Sequence, residues 1–231
     1  MIGSVAALYR YPVKSLLGEK LASAEVVARG LDGDRAWAVT DPDGKLGSGK
    51  SSRRFRRMDG LLQLAARYDA VGAPTIRFPD GTDLTGPADD LDERLSAHVG
   101  RPVRLRPEGA VSHFDDGPVH LVTTASLAAL STVAGTAVPA ERARANLVLD
   151  VTGDGFVEQA WIGRELAIGR CRLRVAASMP RCVMLEMPQG DLPAAPRLLD
   201  TLERSNHLDL GVVAEVVAAG TVQVGDEVAL R

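Results

Sequence analysis

The chain of 231 residues is long enough for one large domain or two small ones with a packed core. A hydrophobic content of 45% and a charged content of 25% are ordinary for a soluble globular protein. The net charge of −3 gives no reason to expect nucleic acid or an anionic membrane as a partner. The short apolar run at the N-terminus is interrupted by Arg10, Pro12 and Lys14, unlike a signal peptide, and no stretch approaches the roughly 18 apolar residues of a membrane span. We therefore expect a cytoplasmic protein.

Short β-branched runs between Gly, Pro and Asp residues predict a mainly β (α+β) chain, because many short strands separated by turn signals are typical of a barrel or sandwich. Asp43-Gly44 and Asp80-Gly81 are hairpin-type turn signals. The predicted strands are Ser4–Tyr11, Ala24–Ala28, Arg35–Thr40, Leu62–Tyr68, Thr75–Phe78, Val103–Arg106, His120–Val122, Ala145–Asp150, Glu165–Ile168, Cys171–Ala176, Val212–Ala218 and Glu227–Leu230.

Three segments with the spacing of an amphipathic or capped helix interrupt the strands. The polar, Gly-containing stretch Glu108–Gly117 is the best position for a domain junction, so we divide the chain into residues 1–108 and residues 109–231. The predicted helices are Asp89–Val99, Thr124–Ala134 and Leu198–Asn206.

The two cysteines, Cys171 and Cys182, differ in their surroundings. Residues 171–175 alternate apolar and charged, which predicts that Cys171 is an ordinary core thiol on the buried face of a strand. Cys182 follows Pro180, which disrupts regular structure, and Arg181, whose charge favours the thiolate that binds metals and attacks electrophiles. On residue chemistry alone, Cys182 can be either functional or structural.

Two cysteines and four scattered histidines make a disulfide scaffold, a standard iron–sulfur cluster or a conventional zinc site improbable.

Two further segments carry side chains that suit an anionic ligand. In Tyr11–Ser15, a Pro-containing turn after a strand presents the cation of Lys14 beside the hydroxyl of Ser15, although a solvated loop lysine is the simpler interpretation of this segment alone. Arg144 and Asn146 lead a predicted strand, from which a guanidinium and an amide can be aimed into a site.

Residues 44–51 match the P-loop pattern G-x-x-x-x-G-K-[ST] and follow a predicted strand. A P-loop needs an apolar helix directly after its Lys-Ser pair, but residues 52–57 carry four arginines, and no apolar strand ends in an Asp that could hold magnesium. We therefore reject nucleotide hydrolysis and interpret the segment as a flexible loop that can bind an anion.

Taken in order, short motifs along nearly the whole chain resemble the MOSC family, in the arrangement with a preceding MOSC N-terminal β-barrel region that its amidoxime-reducing members share. Each motif is short, and their joint order is specific. The motifs are Tyr11-Pro12-Val13-Lys14-Ser15, Arg29-Gly30-Leu31, Gly33-Asp34-Arg35-Ala36-Trp37, His120–Leu127, Arg144–Val148, Arg181-Cys182 and Gly220–Val228.

The resemblance implies a β-barrel MOSC domain at residues 109–231, preceded by a smaller β-barrel-like region at residues 1–108 whose first strands contribute to a shared site. It implies a molybdenum cofactor (molybdopterin), with Cys182 as the catalytic protein ligand to the metal. Cations, hydroxyls and helix N-termini suit the phosphate of this cofactor, and a thiolate suits its soft metal. The cofactor-binding residues that the motifs imply are Lys14, Ser15, Arg35, Thr123, Thr124, Ser126, Arg144, Asn146 and Arg181.

The implied activity is reduction of small-molecule N-hydroxylated or related N–O or S–O substrates. A sulfur carrier with a Cys182 persulfide and a non-catalytic cofactor-binding module are the alternatives. The chain departs from the family at Ser48-Gly49-Lys50, where a Thr-x-Arg is common, and at Val183–Met187, where threonines often follow the cysteine, so the substrate stays open. Because the chain cannot build a four-thiolate cluster and has no G-x-G-x-x-G after a strand, a reductase would need a separate electron donor such as a ferredoxin or flavoprotein.

Overall fold

The computed structural model describes residues 1–69 and 72–231, most of which belong to strands, turns and short helices. The helices are α1 (Asp89–Val99), α2 (Thr124–Ala134), α3 (Ala140–Ala143) and α4 (Leu198–Asn206). The strands are β1 (Gly3–Arg10), β2 (Glu19–Leu21), β3 (Ser23–Val27), β4 (Gly30–Leu31), β5 (Trp37–Thr40), β6 (Leu46–Ser48), β7 (Phe55–Arg57), β8 (Ala65–Tyr68), β9 (Pro74–Arg77), β10 (Asp83–Thr85), β11 (Arg104–Pro107), β12 (Val119–Thr123), β13 (Leu147–Val151), β14 (Glu165–Ile168), β15 (Cys171–Pro180), β16 (Asp209–Ala218), β17 (Gly220–Gln223) and β18 (Glu227–Leu230).

A closed seven-stranded barrel forms the larger part of the molecule. Its strands run in the order β13-β12-β16-β15-β14-β18-β1, and β1 pairs with β13 to close the ring, while β2 pairs with the other part of β1. Alternate residues of these strands point inward, so the centre is filled by side chains such as Leu8, Leu121, Leu147 and Leu173. The predicted mainly β fold with a barrel is confirmed.

A second group of elements follows β4 in the chain. It contains a four-stranded sheet in the order β11-β5-β6-β7, a three-stranded sheet in the order β10-β9-β8, and helix α1. Their apolar faces enclose a separate core that includes Leu64, Ile76, Phe78, Leu91 and Leu95. Each of these side chains is fully or almost fully buried, so the group has its own hydrophobic centre.

Strand pairing connects the two ends of the chain across the predicted boundary at residues 108 and 109. Strand β1 pairs with β13 and β18, and β3 pairs with β17. The N-terminal strands β1 to β4 therefore lie with the C-terminal half, and the second group is inserted between them in sequence. After β1 ends at Arg10, Val13 and Leu16 pack into the core of the second group.

The three predicted helices have the bounds that their apolar spacing and caps indicate. Helix α2 begins behind Thr123, whose hydroxyl accepts a hydrogen bond from the Ser126 backbone N–H. Helix α1 ends at Gly100 in the left-handed conformation that favours glycine. Among the described residues, no helix is both long enough and apolar enough to cross a membrane.

Candidate functional site

A polar cleft of about 170 Å³ lies between the barrel and the second group of elements. It brings together six of the residues that the motifs imply: Lys14, Ser15, Arg35, Arg144, Arg181 and Cys182. The other lining residues are Lys50, Asp115, Asp116, His120, Ala143, Met179, Pro180 and Met184.

Lys14 and Ser15 follow β1 and lie on the side of the cleft that faces the second group. The side chain of Lys14 is only 3% exposed, and its ammonium donates a hydrogen bond to Asp115 Oδ1 at 2.9 Å. Burial lowers the pKa of Lys14, while Asp115 acts in the opposite direction. Ser15 has a left-handed backbone with φ of 65°, and its hydroxyl donates to the Gly47 carbonyl at 2.9 Å. The turn therefore holds a buried cation beside a fixed hydroxyl.

Arg35 and Arg144 both lie over the ring of Tyr11, with guanidinium carbons 4.8 Å and 4.5 Å from the ring centroid. Arg35 forms an ion pair with the fully buried Asp34 and donates to the Arg144 carbonyl at 3.2 Å. Arg144 Nη1 is buried and has no hydrogen-bond partner. Burial lowers the pKa of Arg144 to about 10, so the group is still a cation at neutral pH.

Asn146 is buried behind these arginines and does not line the cleft. Its backbone N–H donates to the His120 carbonyl at 2.7 Å, and its side-chain oxygen accepts from the His120 N–H at 3.1 Å. Its amide nitrogen donates to the Tyr9 carbonyl at 3.3 Å, and Arg35 Nη1 lies 3.5 Å from its oxygen. Asn146 therefore connects β1 with β12 and contacts Arg35, so its role is to position these parts of the site.

Arg181 and Cys182 follow the end of β15. Arg181 donates to the Ala143 carbonyl at 2.7 Å, whereas its buried Nε has no partner. Cys182 is partly exposed and begins a short 3-10 turn at Val183–Leu185. Cys171, by contrast, is fully buried in the barrel core, where burial raises the pKa of its thiol to about 11. Of the two thiols, Cys182 is the accessible one.

Arg142 holds the segment after Cys182 and was not recognised from the sequence as a structural anchor. Its guanidinium is 4% exposed and donates to the carbonyls of Leu185 and Met187, both at 3.1 Å, and of Pro193 at 2.7 Å. No carboxylate pairs with it among the described ion pairs. The sequence signal is weak because the partners are backbone carbonyls far along the chain.

The structure does not bring Thr123, Thr124 and Ser126 to the cleft, in contrast to the prediction. Thr123 and Ser126 donate hydrogen bonds to the buried carboxylate of Glu158, and Thr124 donates to Asp150 at 3.0 Å. For Thr123 the reason is strand geometry, because His120 of β12 faces the cleft and a residue three positions further along the strand points to the opposite face. Thr124 and Ser126 lie in the first turn of α2. The Thr123 hydroxyl thus caps α2, while the hydroxyls of Thr124 and Ser126 bind carboxylates near the start of this helix.

The P-loop look-alike has a different structure, as its sequence context predicts. Residues 46–48 form β6, and no helix follows Lys50; the chain instead runs through an irregular segment into β7. The Ser48 hydroxyl donates to Met184 Sδ at 3.9 Å, which attaches this segment to the loop that carries Cys182. Lys50 lines the cleft, in keeping with the interpretation of an anion-binding segment.

His120, Asp115 and Asp116 line the cleft but were not singled out as site residues. His120 Nε2 lies 3.2 Å from the Leu210 carbonyl, so this nitrogen carries the proton, and burial lowers the pKa of the ring well below its ordinary value. Burial acts to raise the pKa of Asp115, but the nearby Lys14 holds it below its ordinary value. Both aspartates lie in the polar stretch that the sequence indicates as a junction, where acidic residues are usually solvated.

The protein alone offers few ligands for a metal. Among the described residues, no group of three or more His, Cys, Asp or Glu side chains could hold an ion.

Comparison with known sequences identifies the family of the chain. The profile of the MOSC domain matches residues 97–229, and the profile of the MOSC N-terminal beta barrel domain matches residues 2–111. The chain belongs to the MOSC family.

Within this family, the chain is similar to human mitochondrial amidoxime-reducing component 1, with 26% identity over 285 residues that cover 99% of this chain and 83% of the relative. Mitochondrial amidoxime reducing component 2 of Bos taurus is also 26% identical, over 98% of this chain and 83% of its own length. Among solved structures, the YuaD protein of Bacillus subtilis shares the fold with a TM-score of 0.55 at 14% identity, over 100% of this chain and 96% of its own.

Proposed function

We propose that the chain is a molybdenum-cofactor-dependent reductase of N-hydroxylated or related N–O or S–O compounds, with Cys182 as the protein ligand to the metal. One observation carries this proposal: the accessible thiol of Cys182 opens into a cleft where Arg144 and Arg181 each keep a buried guanidinium nitrogen without a partner. A buried unpaired donor of this kind costs about 1–3 kcal/mol or more. A bound group with anionic oxygens would remove this cost.

The residues present fit a molybdopterin. Its phosphate and polar ring atoms suit the cations of Lys14, Arg144 and Arg181, since guanidinium and ammonium groups form charge-assisted hydrogen bonds with oxyanions. The Cys182 thiolate would supply the protein's sulfur to a metal that already carries the dithiolene sulfurs of the pterin. When bound, the cofactor would supply two-electron redox chemistry at the N–O or S–O bond of the substrate.

The other residues of the cleft prepare this site. Arg181 directly precedes Cys182 and lines the same cleft, so it places a guanidinium beside the thiol. The three hydrogen bonds of Arg142 fix the segment after Cys182 and thereby orient the thiol. The guanidinium groups of Arg35 and Arg144 both pack on the ring of Tyr11. These contacts between groups of the protein fix the side chains that line the cleft.

Support for the substrate class comes from the relatives, whose names describe reduction of amidoximes. The two half-buried thioethers beside Cys182, Met179 and Met184, would give such a substrate an apolar surface. Because neither a cluster motif nor a dinucleotide fingerprint is present in the sequence, we propose that electrons come from a separate protein.

The proposal is tested by metal and pterin analysis of protein made in a molybdenum-competent host. We expect about one molybdenum per wild-type chain, and turnover of benzamidoxime to benzamidine with reduced methyl viologen but not with NADPH alone. Cys182→Ala should lose activity, while Cys171→Ala is the matched thiol control that keeps its metal. Metal-free protein with a persulfide on Cys182 would favour the sulfur carrier, and full occupancy without turnover would favour a non-catalytic module.

A further inference from the structure

The segment of residues 41–59 has a charge opposite to that of the rest of the chain. It contains six cations and three carboxylates, for a net charge of +3. The whole chain has a net charge of −3, so the remaining residues carry −6. A local reversal of this size produces a distinct positive surface on an acidic protein.

The carboxylates of this segment are already engaged. Asp41 and Asp43 pair with Arg56 at 2.8 Å and 3.0 Å, and Asp59 pairs with Arg57 at 2.9 Å. In the part of the chain that the structure describes, Lys50 and Arg53 form no ion pair, and Arg54 donates to the Ser112 carbonyl. We call Lys50, Arg53, Arg54 and Arg57 the basic surface.

Local hydrogen bonds fix the backbone of the basic surface. The Ser52 hydroxyl accepts from the N–H groups of Arg54 and Phe55, both at 3.2 Å, and the Ser51 hydroxyl accepts from the Arg57 N–H at 3.1 Å. Strand β7 is the edge of its sheet, so these cations are presented on an open side of the molecule. The charges are therefore held on an ordered backbone, which reduces the entropic cost of binding a partner.

The basic surface is continuous with the cleft. Lys50 itself lines the cleft that contains Cys182. The buried ring of Phe55 lies under three cations: Lys14 at 4.9 Å, Lys50 at 5.4 Å and Arg54 at 5.4 Å from its centroid. Phe55 thus connects the buried ammonium of the site with the exposed charges. The acidic residues of the cleft offset only part of this charge, since Asp115 is paired with Lys14.

We propose that the basic surface docks the electron donor, a small one-electron carrier protein with an acidic face of the ferredoxin class. This inference rests on the proposed reductase function. Each turnover breaks one N–O bond, consumes two electrons and two protons, and releases water and the reduced nitrogen compound. Two reduced carriers would each give up one electron, and the protons would come from solvent.

Two features favour a protein partner over the small substrate. Arg53 and Arg57 do not line the cleft, and the side chain of Arg57 is 61% exposed, so a substrate bound near Cys182 would not contact them. Surface charges of this kind act mainly by steering a charged partner, and they raise its association rate at low salt.

The test uses the double variant Arg53→Glu/Arg57→Glu in the full-length, molybdenum-loaded protein. Arg170→Glu/Arg172→Glu is the matched control, because it makes the same charge change at the start of β15. That ten-residue strand separates the control site from Pro180 by about 30 Å at roughly 3.3 Å per residue. Turnover of benzamidoxime is measured with two donors: a chemically reduced acidic [2Fe–2S] ferredoxin and reduced methyl viologen.

We expect the test variant to raise KM for ferredoxin roughly 10-fold or more at low salt, with a smaller difference at high salt, because steering is screened. Viologen turnover and the control variant should match wild type. An unchanged KM for ferredoxin in the test variant, an equal effect in the control, or no ferredoxin-driven turnover in wild-type protein that reacts with viologen would overturn the docking proposal. Absence of viologen turnover in wild type would instead contradict the reductase function itself.

Discussion

We expect the removal of Arg142 to lower the free energy of unfolding and to weaken the binding of the cofactor. Arg142 does not itself line the cleft. Arg142→Ala leaves the carbonyls of Leu185, Met187 and Pro193 without their donor. Hydrogen bonds to a charged group contribute about 1.5–3 kcal/mol each, but the buried guanidinium has a desolvation cost that also disappears. We therefore expect a net loss of about 2–4 kcal/mol in the free energy of unfolding.

Urea unfolding of the variant measures this loss, with Arg204→Ala as control because Arg204 is exposed on α4. Molybdenum occupancy after dialysis is the second readout, since a loosened segment after Cys182 should release the cofactor faster. Arg142→Lys should have a stability and a molybdenum occupancy between those of wild type and Arg142→Ala, because a lysine can reach fewer of the carbonyls. A free energy of unfolding within about 0.5 kcal/mol of wild type, together with normal occupancy, would refute the anchoring role.

Thr123→Val should cost about 1 kcal/mol by loss of the α2 cap, measured by urea unfolding, and should leave molybdenum content unchanged; loss of the metal at unchanged stability would restore the predicted cofactor role. His120 has a pKa well below the ordinary value of 6.5, so the unfolded chain binds more protons and stability should fall as pH drops below about 6.5; His120→Gln should reduce this fall in the urea midpoint between pH 7 and pH 5.5, and an unchanged slope would contradict it. Neither wild type nor Lys50→Ala should bind ATP in calorimetry. Magnesium-dependent ATP binding by the wild type would contradict the rejection of a P-loop.

Much of the fold could be predicted because the pattern is local. The apolar spacing of α1, α2 and α4 and the β-branched runs of β14 and β18 contain enough information to mark those elements. Strands β6 and β7 were missed, since Gly47, Ser48 and the arginines of β7 have low strand propensity, and their pairing depends on distant contacts.

The site was predicted in part for a related reason. Motif order indicates which segments meet, so Lys14, Arg35, Arg144, Arg181 and Cys182 could be identified as neighbours. Motif order does not specify which face of a strand or helix a side chain occupies.

Motif order assigns Thr123 and Ser126 to the cofactor, whereas the structure places their hydroxyls in a buried network around Glu158. The anchoring role of Arg142 could not be seen from sequence, since all its partners are backbone atoms of residues 185–193. Backbone partners leave no residue-type pattern to detect.

The most direct test of the central claim is the number of sulfur ligands on molybdenum, measured by X-ray absorption at the metal edge. We expect wild-type protein to have the two dithiolene sulfurs and one thiolate, and Cys182→Ser protein that still retains metal to have one sulfur fewer. Cys171→Ala should keep the wild-type count, because Cys171 is buried in the barrel core. The same sulfur count in wild type and Cys182→Ser would contradict the assignment of Cys182 as the metal ligand.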